Sequence, residues 1–152
     1  FIKKSKLEDY SRPRTNGIIA INLKGDDELI SVQTSSGKDE ILISTRMAQA
    51  VRFNEEKVRS VGRNSMGVKG ITLKPKDSVV SSEVIKNDNV KILTVTENGF
   101  GKRTDISKYR LTSRGGKGVT TLKVTEKTGE MHSRLRTKIK LSCFLQQEKP
   151  PD

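Results

Sequence analysis

Three glycines, Gly17, Gly67 and Gly118, lie 50 and 51 residues apart, and each closes the same run of features. Before Gly118 come an Asn98-Gly99 turn, the basic pair Lys102-Arg103, an apolar anchor at Ile106 and Tyr109, and a loop with Arg114 and Lys117. After it comes a β-branched stretch, Val119 to Leu122. The same order runs from Lys3-Lys4 through Leu7, Tyr10, Arg12 and Arg14 to Gly17 and Ile18–Leu23. It runs again from Val51-Arg52 through Val58 and Arg63 to Gly67 and Val68–Leu73. A period near 50 residues belongs to propeller-like arrays, in which one small sheet per repeat cannot bury its apolar face without neighbours.

The repeat continues outside the basic loops. Asp26–Val32 returns as Lys76–Ser82, and Glu40–Thr45 returns as Lys91–Thr96. The register divides the chain into 1–24, the second half of a repeat, then 25–73 and 74–124, two complete repeats. Residues 125–152 are the start of a further repeat and a divergent tail, with Gln146–Asp152 expected to be disordered. Because the first segment carries only half a unit, the chain is expected to be a piece of something longer.

Strand signals dominate. Ile18–Leu23, Leu29–Val32, Ile41–Ile43 and Ile92–Val95 are short, β-branched and bounded by turn residues, and Val119–Val124 alternates like a half-buried strand. Arg134–Leu145 reads as one more strand. Thr45–Phe53 has helix-forming composition, but its counterpart Thr96–Thr104 carries the Asn98-Gly99 hairpin signal, so a hairpin is expected there, with a turn of a different conformation. The fold class is all-β.

Thirty basic residues face 18 acidic ones, a net charge of +12. Such an excess favours a polyanionic partner. No run of about 18 apolar residues is present to span a bilayer, and the cations sit in glycine-punctuated loops rather than on an amphipathic helix, so nucleic acid is favoured over a membrane surface. No signal peptide is visible, and Cys143 stands alone, which excludes a disulfide framework and points to a reducing cytoplasm. His132, also alone, reads as an incidental surface residue. There is no phosphate-binding GxxxxGK[ST] loop, no nucleophile–base pair and no metal-ligand spacing, so no catalytic or metal-binding residues and no cofactor are assigned.

The candidate binding residues are the cations of the repeating device: Lys3, Lys4, Arg12, Arg14, Arg52, Arg63, Lys102, Arg103, Lys108, Arg110, Arg114 and Lys117. Guanidinium and ammonium groups on such loops can approach phosphates, assisted by the backbone N–H groups of Gly115, Gly116 and Gly118. Contacts of this kind position a nucleic acid without reading its bases. With no Trp, and with Tyr10 and Tyr109 at a position filled by Val58 in the middle unit, stacking platforms for single strands are scarce, which favours duplex DNA. A basic propeller-type scaffold for RNA or acidic proteins is the other reading.

Five segments, SRPRTNGIIAINL (11–23), GDDELI (25–30), VGRNSMGVKGI (61–71), KILTVTENGFGKRT (91–104) and SRGGKGVTTLKVTE (113–126), together resemble the C-terminal domain of DNA gyrase A. The resemblance covers residues 1 to about 130. It implies a β-pinwheel, here partial, of four-stranded antiparallel blades that exchange strands, with a basic perimeter that wraps duplex DNA. It also implies a place in a cytoplasmic, nucleoid-associated A2B2 enzyme, with the rest of gyrase A and the gyrase B protein as partners. In that enzyme ATP hydrolysis drives negative supercoiling, and the ATP, Mg and catalytic residues lie outside this chain. Residues 112–118, TSRGGKG, match the last five positions of the family's QRRGGKG box but lack its Gln and first Arg, so they read as an ordinary blade loop. The similar C-terminal domain of topoisomerase IV, which serves decatenation and relaxation, is the alternative.

Overall fold

The computed structural model of the chain describes residues 1–12 and 14–137. Its framework is seven strands: β1 (Glu40–Thr45), β2 (Gln49–Asn54), β3 (Val79–Ile85), β4 (Lys91–Thr96), β5 (Gly101–Asp105), β6 (Val119–Thr120) and β7 (Met131–Thr137). Three single 3₁₀ turns, Leu7–Tyr10, Glu55–Lys57 and Ile106–Lys108, occupy matching positions in the three units. The fold is all-β and antiparallel.

Two hairpins organise the strands. In β1–β2 Leu42 stands opposite Arg52, and in β4–β5 Leu93 stands opposite Arg103, so the two share one register. Each hairpin is then clasped by strands that come later in the chain. The first sheet has the order β3-β1-β2-β6, so both of its outer strands belong to the following repeat. The second has the order β5-β4-β7. The register slips at Ser44/Thr45 where β3 meets β1, and at the equivalent Val95/Thr96 where β7 meets β4. At the start of the chain an Ile2–Val68 bridge repeats the pairing that Ala50 makes with Val119, and a Lys4–Ser60 bridge repeats Arg52–Leu111. The sheets therefore cut across the repeat boundaries: a unit finishes the sheet before it.

Stacking explains the composition of β1. Ile41 and Ile43 pack on one face with Val51, Phe53, Val58, Ile71 and Val84. Leu42 points the other way, against Ala50, Ile85, Val90, Ile92, Ile106 and Tyr109. A strand buried on both faces reads as a continuous apolar run instead of alternating. Phe53, Leu42 and Ile92 are fully buried, and truncating a side chain of that kind costs about 2–5 kcal/mol.

The turn of the first hairpin differs from expectation. Ala48 has φ 55°, the left-handed conformation that Gly99 adopts at φ 78° in the second hairpin, so both turns share one geometry. Alanine carries the smallest side chain that can be placed there. Its carbonyl is gripped by the Thr121 N–H at 2.8 Å and the Thr121 hydroxyl at 3.1 Å, which offsets the backbone strain.

Several expected strands are not formed as such. Ile18–Leu23 and Leu29–Val32 lie in no strand, Val68–Leu73 contributes only the Val68 bridge, and Val119–Val124 only the two residues of β6. These segments have strand composition because they complete the sheet of the preceding unit. Val119–Thr120 find a hairpin edge in β2 and Val68 makes a single bridge to Ile2; no described strand pairs with Ile18–Leu23, and Ile19 and Val32 remain 65% and 80% exposed. The expected strand Arg134–Leu145 overlaps β7, and its part beyond Thr137 lies outside the described residues, as do Cys143 and the tail Gln146–Asp152.

Gly67 and Gly118 show how tight the clasp is. At φ 89° and 78°, Gly67 lies against the segment at Ile2 and Gly118 under β2, where a Cβ would overlap the carbonyl of Ile2 or of Ala50. Gly17 has a φ of 77° and open space around it. Gly17→Ala is expected to cost only the left-handed backbone penalty, about 1–2 kcal/mol. Gly118→Ala adds the steric clash and should cost roughly 3 kcal/mol or more. Urea unfolding of the two variants measures the difference, and equal losses would show that the Ala50 strand edge does not confine Gly118.

Candidate nucleic-acid interface

The repeated cations do a common job that the sequence does not announce: they bond to backbone carbonyls, within their own unit for Lys102, in an adjoining unit for Lys4, Arg52, Arg63 and Arg114, and in both for Lys3. Lys3 donates to the Ala20 carbonyl at 2.9 Å, and its counterpart Lys102 donates to the equivalent Thr121 carbonyl at 3.4 Å. Lys3 also donates to the Arg63 carbonyl. Arg63 reaches the Ile19 carbonyl at 3.0 Å, and Arg114 reaches the equivalent Lys69 carbonyl at 3.0 Å and that of Lys57 at 2.9 Å. Lys4 donates to the Glu55 carbonyl at 2.9 Å, and Arg52 to the equivalent Ile106 carbonyl at 3.1 Å and to Tyr109 at 3.2 Å.

Arg52 is held furthest inside. Only 10% of its side chain is exposed, and it pairs with Glu40 at 2.5 Å and Asp88 at 3.2 Å. Lys4 lies 4.0 Å from the Glu55 carboxylate, which is buried and also accepts from the Ser35 hydroxyl at 2.7 Å and the Asp39 N–H at 2.8 Å. Glu55 stands where the third unit has Ile106, so a polar cradle replaces an apolar anchor there. These pairs neutralise charge. The carbonyl bonds of Lys3, Arg63, Lys102 and Arg114 do not, because a carbonyl is neutral: the cation is oriented and keeps its full charge.

Arginine has five N–H donors, and Arg114 is half-buried with its Nε and one Nη engaged. Its remaining donors are free to take a second acceptor. Around it the fold gathers cations from two units. The carbonyls it binds belong to Lys57 and Lys69, both exposed, and the Lys69 stem lies about 4.0 Å from where a Cβ of Gly115 would be. The sequence pattern singles out neither of these lysines. Lys57 is the repeat counterpart of Lys108 and can be found on that register; Lys69 has no basic counterpart and gives no signal.

Arg12, Arg14, Arg103, Lys108, Arg110 and Lys117 are exposed, and no carboxylate among the described residues pairs with them. The loop that presents Arg114 and Lys117 is fixed to the preceding unit. The Gly115 N–H donates to the Gly70 carbonyl at 2.6 Å, Thr72 N–H to Gly116 at 2.9 Å, and the Thr72 hydroxyl to Gly115 at 2.6 Å. The expected assistance of the Gly115 amide to a phosphate is thus corrected: that donor is already used. The loop presents side chains, and its rigidity fixes their spacing.

Aromatic residues follow the packing reading in part. Tyr109 is buried, while Tyr10 is half-buried and its hydroxyl donates to the Ala20 carbonyl at 3.1 Å. Phe1 and Phe100 are exposed at matching hairpin positions, and the Lys127 ammonium lies 5.9 Å from the Phe100 ring centre. Among the described residues no three His, Cys, Asp or Glu side chains are placed to share a metal, and no helix is long and apolar enough to cross a membrane.

Hairpins closed by strands of the next unit, stacked face to face with cations recurring at their joints, define a propeller-type array of exchanged blades. The chain belongs to the DNA gyrase C-terminal domain, beta-propeller family, whose model matches residues 1–36, 39–86 and 91–132. Over 131 residues it is 48% identical to the DNA gyrase A proteins of Staphylococcus epidermidis and Staphylococcus aureus. Those matches cover 86% of this chain and 15% of each relative, so the chain spans a small part of their length. Among solved structures it is similar to the C-terminal domain of DNA topoisomerase IV, at 28% identity and a TM-score of 0.84 over 90% of this chain and 43% of that one. It is also similar to a DNA gyrase A C-terminal domain, at 30% identity and a TM-score of 0.74 over 81% of this chain and 42% of that one.

Removing a strut should differ from removing a free cation. Arg114→Met breaks two charged hydrogen bonds at a half-buried site and is expected to lower stability by about 1–2 kcal/mol. Lys117→Met, at an exposed position, should stay within about 0.5 kcal/mol. Chemical denaturation of both variants tests this, and matching losses would remove the structural role assigned to Arg114.

Proposed function

We propose that this chain is a non-catalytic DNA-wrapping module of a type II topoisomerase, and that it binds duplex DNA through backbone phosphates. The observation that carries the reading is the run of cations along successive units, oriented by neutral carbonyls or exposed without a carboxylate partner among the described residues, in a chain of net charge +12. The contacts assigned are Arg12, Arg14, Arg63, Lys102, Arg103, Lys108, Arg110, Arg114 and Lys117, with Lys57 and Lys69 added by their place beside Arg114. Lys3, Lys4 and Arg52 hold the units together and contribute at most their field.

Bending 20–30 base pairs around such a rim costs of order 1–6 kcal/mol, so several units must share the contacts. In the whole enzyme, with the rest of gyrase A and the gyrase B protein in an A2B2 assembly, a wrapped segment would direct ATP-dependent strand passage toward negative supercoiling. ATP and Mg would act outside this chain, in the bacterial cytoplasm on nucleoid DNA. The 48% identity to gyrase A proteins favours gyrase. The TM-score of 0.84 to a topoisomerase IV domain keeps decatenation and relaxation as the second reading. A complete QRRGGKG box in the first blade of the parent protein would decide for gyrase, and its absence for topoisomerase IV.

Salt titration tests the binding mode. Replacing Lys108, Arg110 and Lys117 together by Ala should weaken duplex binding at low salt and flatten the slope of log K against log salt by about 0.9 for each phosphate no longer neutralised. Fluorescence anisotropy with duplex DNA, single strands and double-stranded RNA at matched salt is the measurement. An unchanged slope would take these residues out of the footprint, and a preference for single strands or RNA would overturn the duplex reading.

A further inference from the structure

Successive units are joined by exchanged strands and loop hydrogen bonds, and their blades also meet through side chains. Leu42, Ala50 and Ile85 meet Ile92, Ile106 and Tyr109 across an apolar face, and such burial is non-directional, tolerating rotation of one sheet over the next. Among the side chains of the first hairpin, Arg52 adds direction to this joint, beside the strand exchange and the bonds of the Gly115 loop. The Arg52 guanidinium spans the joint, donating to the Ile106 and Tyr109 carbonyls of the next unit while held by Glu40 of its own hairpin. Its backbone carbonyl accepts from the Thr112 N–H at 2.9 Å and the Thr112 hydroxyl at 3.2 Å. Asp88, in the segment that leads from β3 into β4, closes the grip.

One joint earlier Lys4 does the same with fewer donors. It bonds the Glu55 carbonyl, and its own carbonyl accepts from the Val61 N–H at 2.9 Å. Two joints of different sequence thus share a cation that captures the first carbonyl of the next unit's 3₁₀ turn. We propose that Arg52 is a positioning residue that fixes the angle between successive blades and, through that angle, the path of DNA along the rim. This rests on the DNA-wrapping function proposed above, and reaches the DNA through blade geometry, without a contact from Arg52 itself.

The test separates geometry from affinity. In a Cys143→Ser background, spin labels on Glu56→Cys and Ser107→Cys, exposed positions on the turns of adjacent units, report the angle without DNA. The full chain and Arg52→Lys, which keeps the single bond that Lys4 makes, should give one narrow distance distribution, and Arg52→Met a broad one. In ligation of nicked plasmid, the linking-number change per bound chain should fall by roughly half or more for Arg52→Met, with duplex affinity within about threefold. A narrow distribution and an unchanged topological shift would overturn the proposal. So would parallel losses of affinity in the Met and Lys variants, which would make Arg52 a phosphate contact. Should Arg52→Met fail to fold, Lys4→Met makes the same topological test one joint earlier. An unaltered chain that neither binds duplex nor shifts its topology would defeat the wrapping function instead, while the label distances would still read the role of Arg52 in the joint.

Discussion

A β-hairpin has two open edges, and the architecture of this chain follows from how those edges are closed. β1 and β2 are closed by β3 and β6, both supplied by the next repeat. Every unpaired backbone N–H and C=O on a hairpin edge must find a partner or face water. Because the closing strands come from the following repeat, no unit can be complete alone. Cooperativity between neighbours is built into the ladder itself, before any side chain is considered. The apolar faces then stack, and β1 becomes a strand with no outside.

This dependence decides what can be read from the sequence. The two hairpins are legible, since Glu40–Thr45 and Lys91–Thr96 share one apolar pattern and Asn98-Gly99 marks a turn. So is the all-β class. The shared turn geometry is hidden by Ala48, which adopts a left-handed backbone that alanine disfavours, stabilised by Thr121 from far along the chain. The segments Ile18–Leu23 and Val68–Leu73 have strand composition but lack a strand ladder, because composition reports what a segment can pair with and not whether a partner edge stands beside it.

The cations divide in a way the repeat alone does not reveal. Recurrence at Lys3 and Lys102, at Lys4 and Arg52, and at Arg63 and Arg114 is explained by carbonyls that recur with them. Equivalent carbonyls, in the 3₁₀ turns and in segments outside the strands, recur between units, so the same donor is useful again. Lys117 and Arg110 answer to no such acceptor. Periodicity alone does not separate the two groups, since exposed Arg110 recurs as Arg59 and exposed Lys108 as Lys57; the acceptors that the structure sets beside the others tell the joints apart.

Using cations as joints has an electrostatic consequence. Had the same joints been made by ion pairs, as Arg52 is with Glu40 and Asp88, each would have cancelled its own charge. A carbonyl orients a guanidinium or ammonium group and leaves its charge in place, so Lys3, Arg63, Lys102 and Arg114 stiffen the array and still add to its field. The side-chain entropy lost in ordering these long residues is met within the fold, before any anion arrives. Under the proposed function, a phosphate approaching Arg114 would meet a group already fixed by the Lys57 and Lys69 carbonyls, with donors to spare, so that ordering that side chain would not weaken binding. In this way the same bonds that set the spacing of the units also preorganise the surface between them, so that under the proposed DNA-wrapping function the stability of the array and its affinity for duplex would rise from one set of contacts.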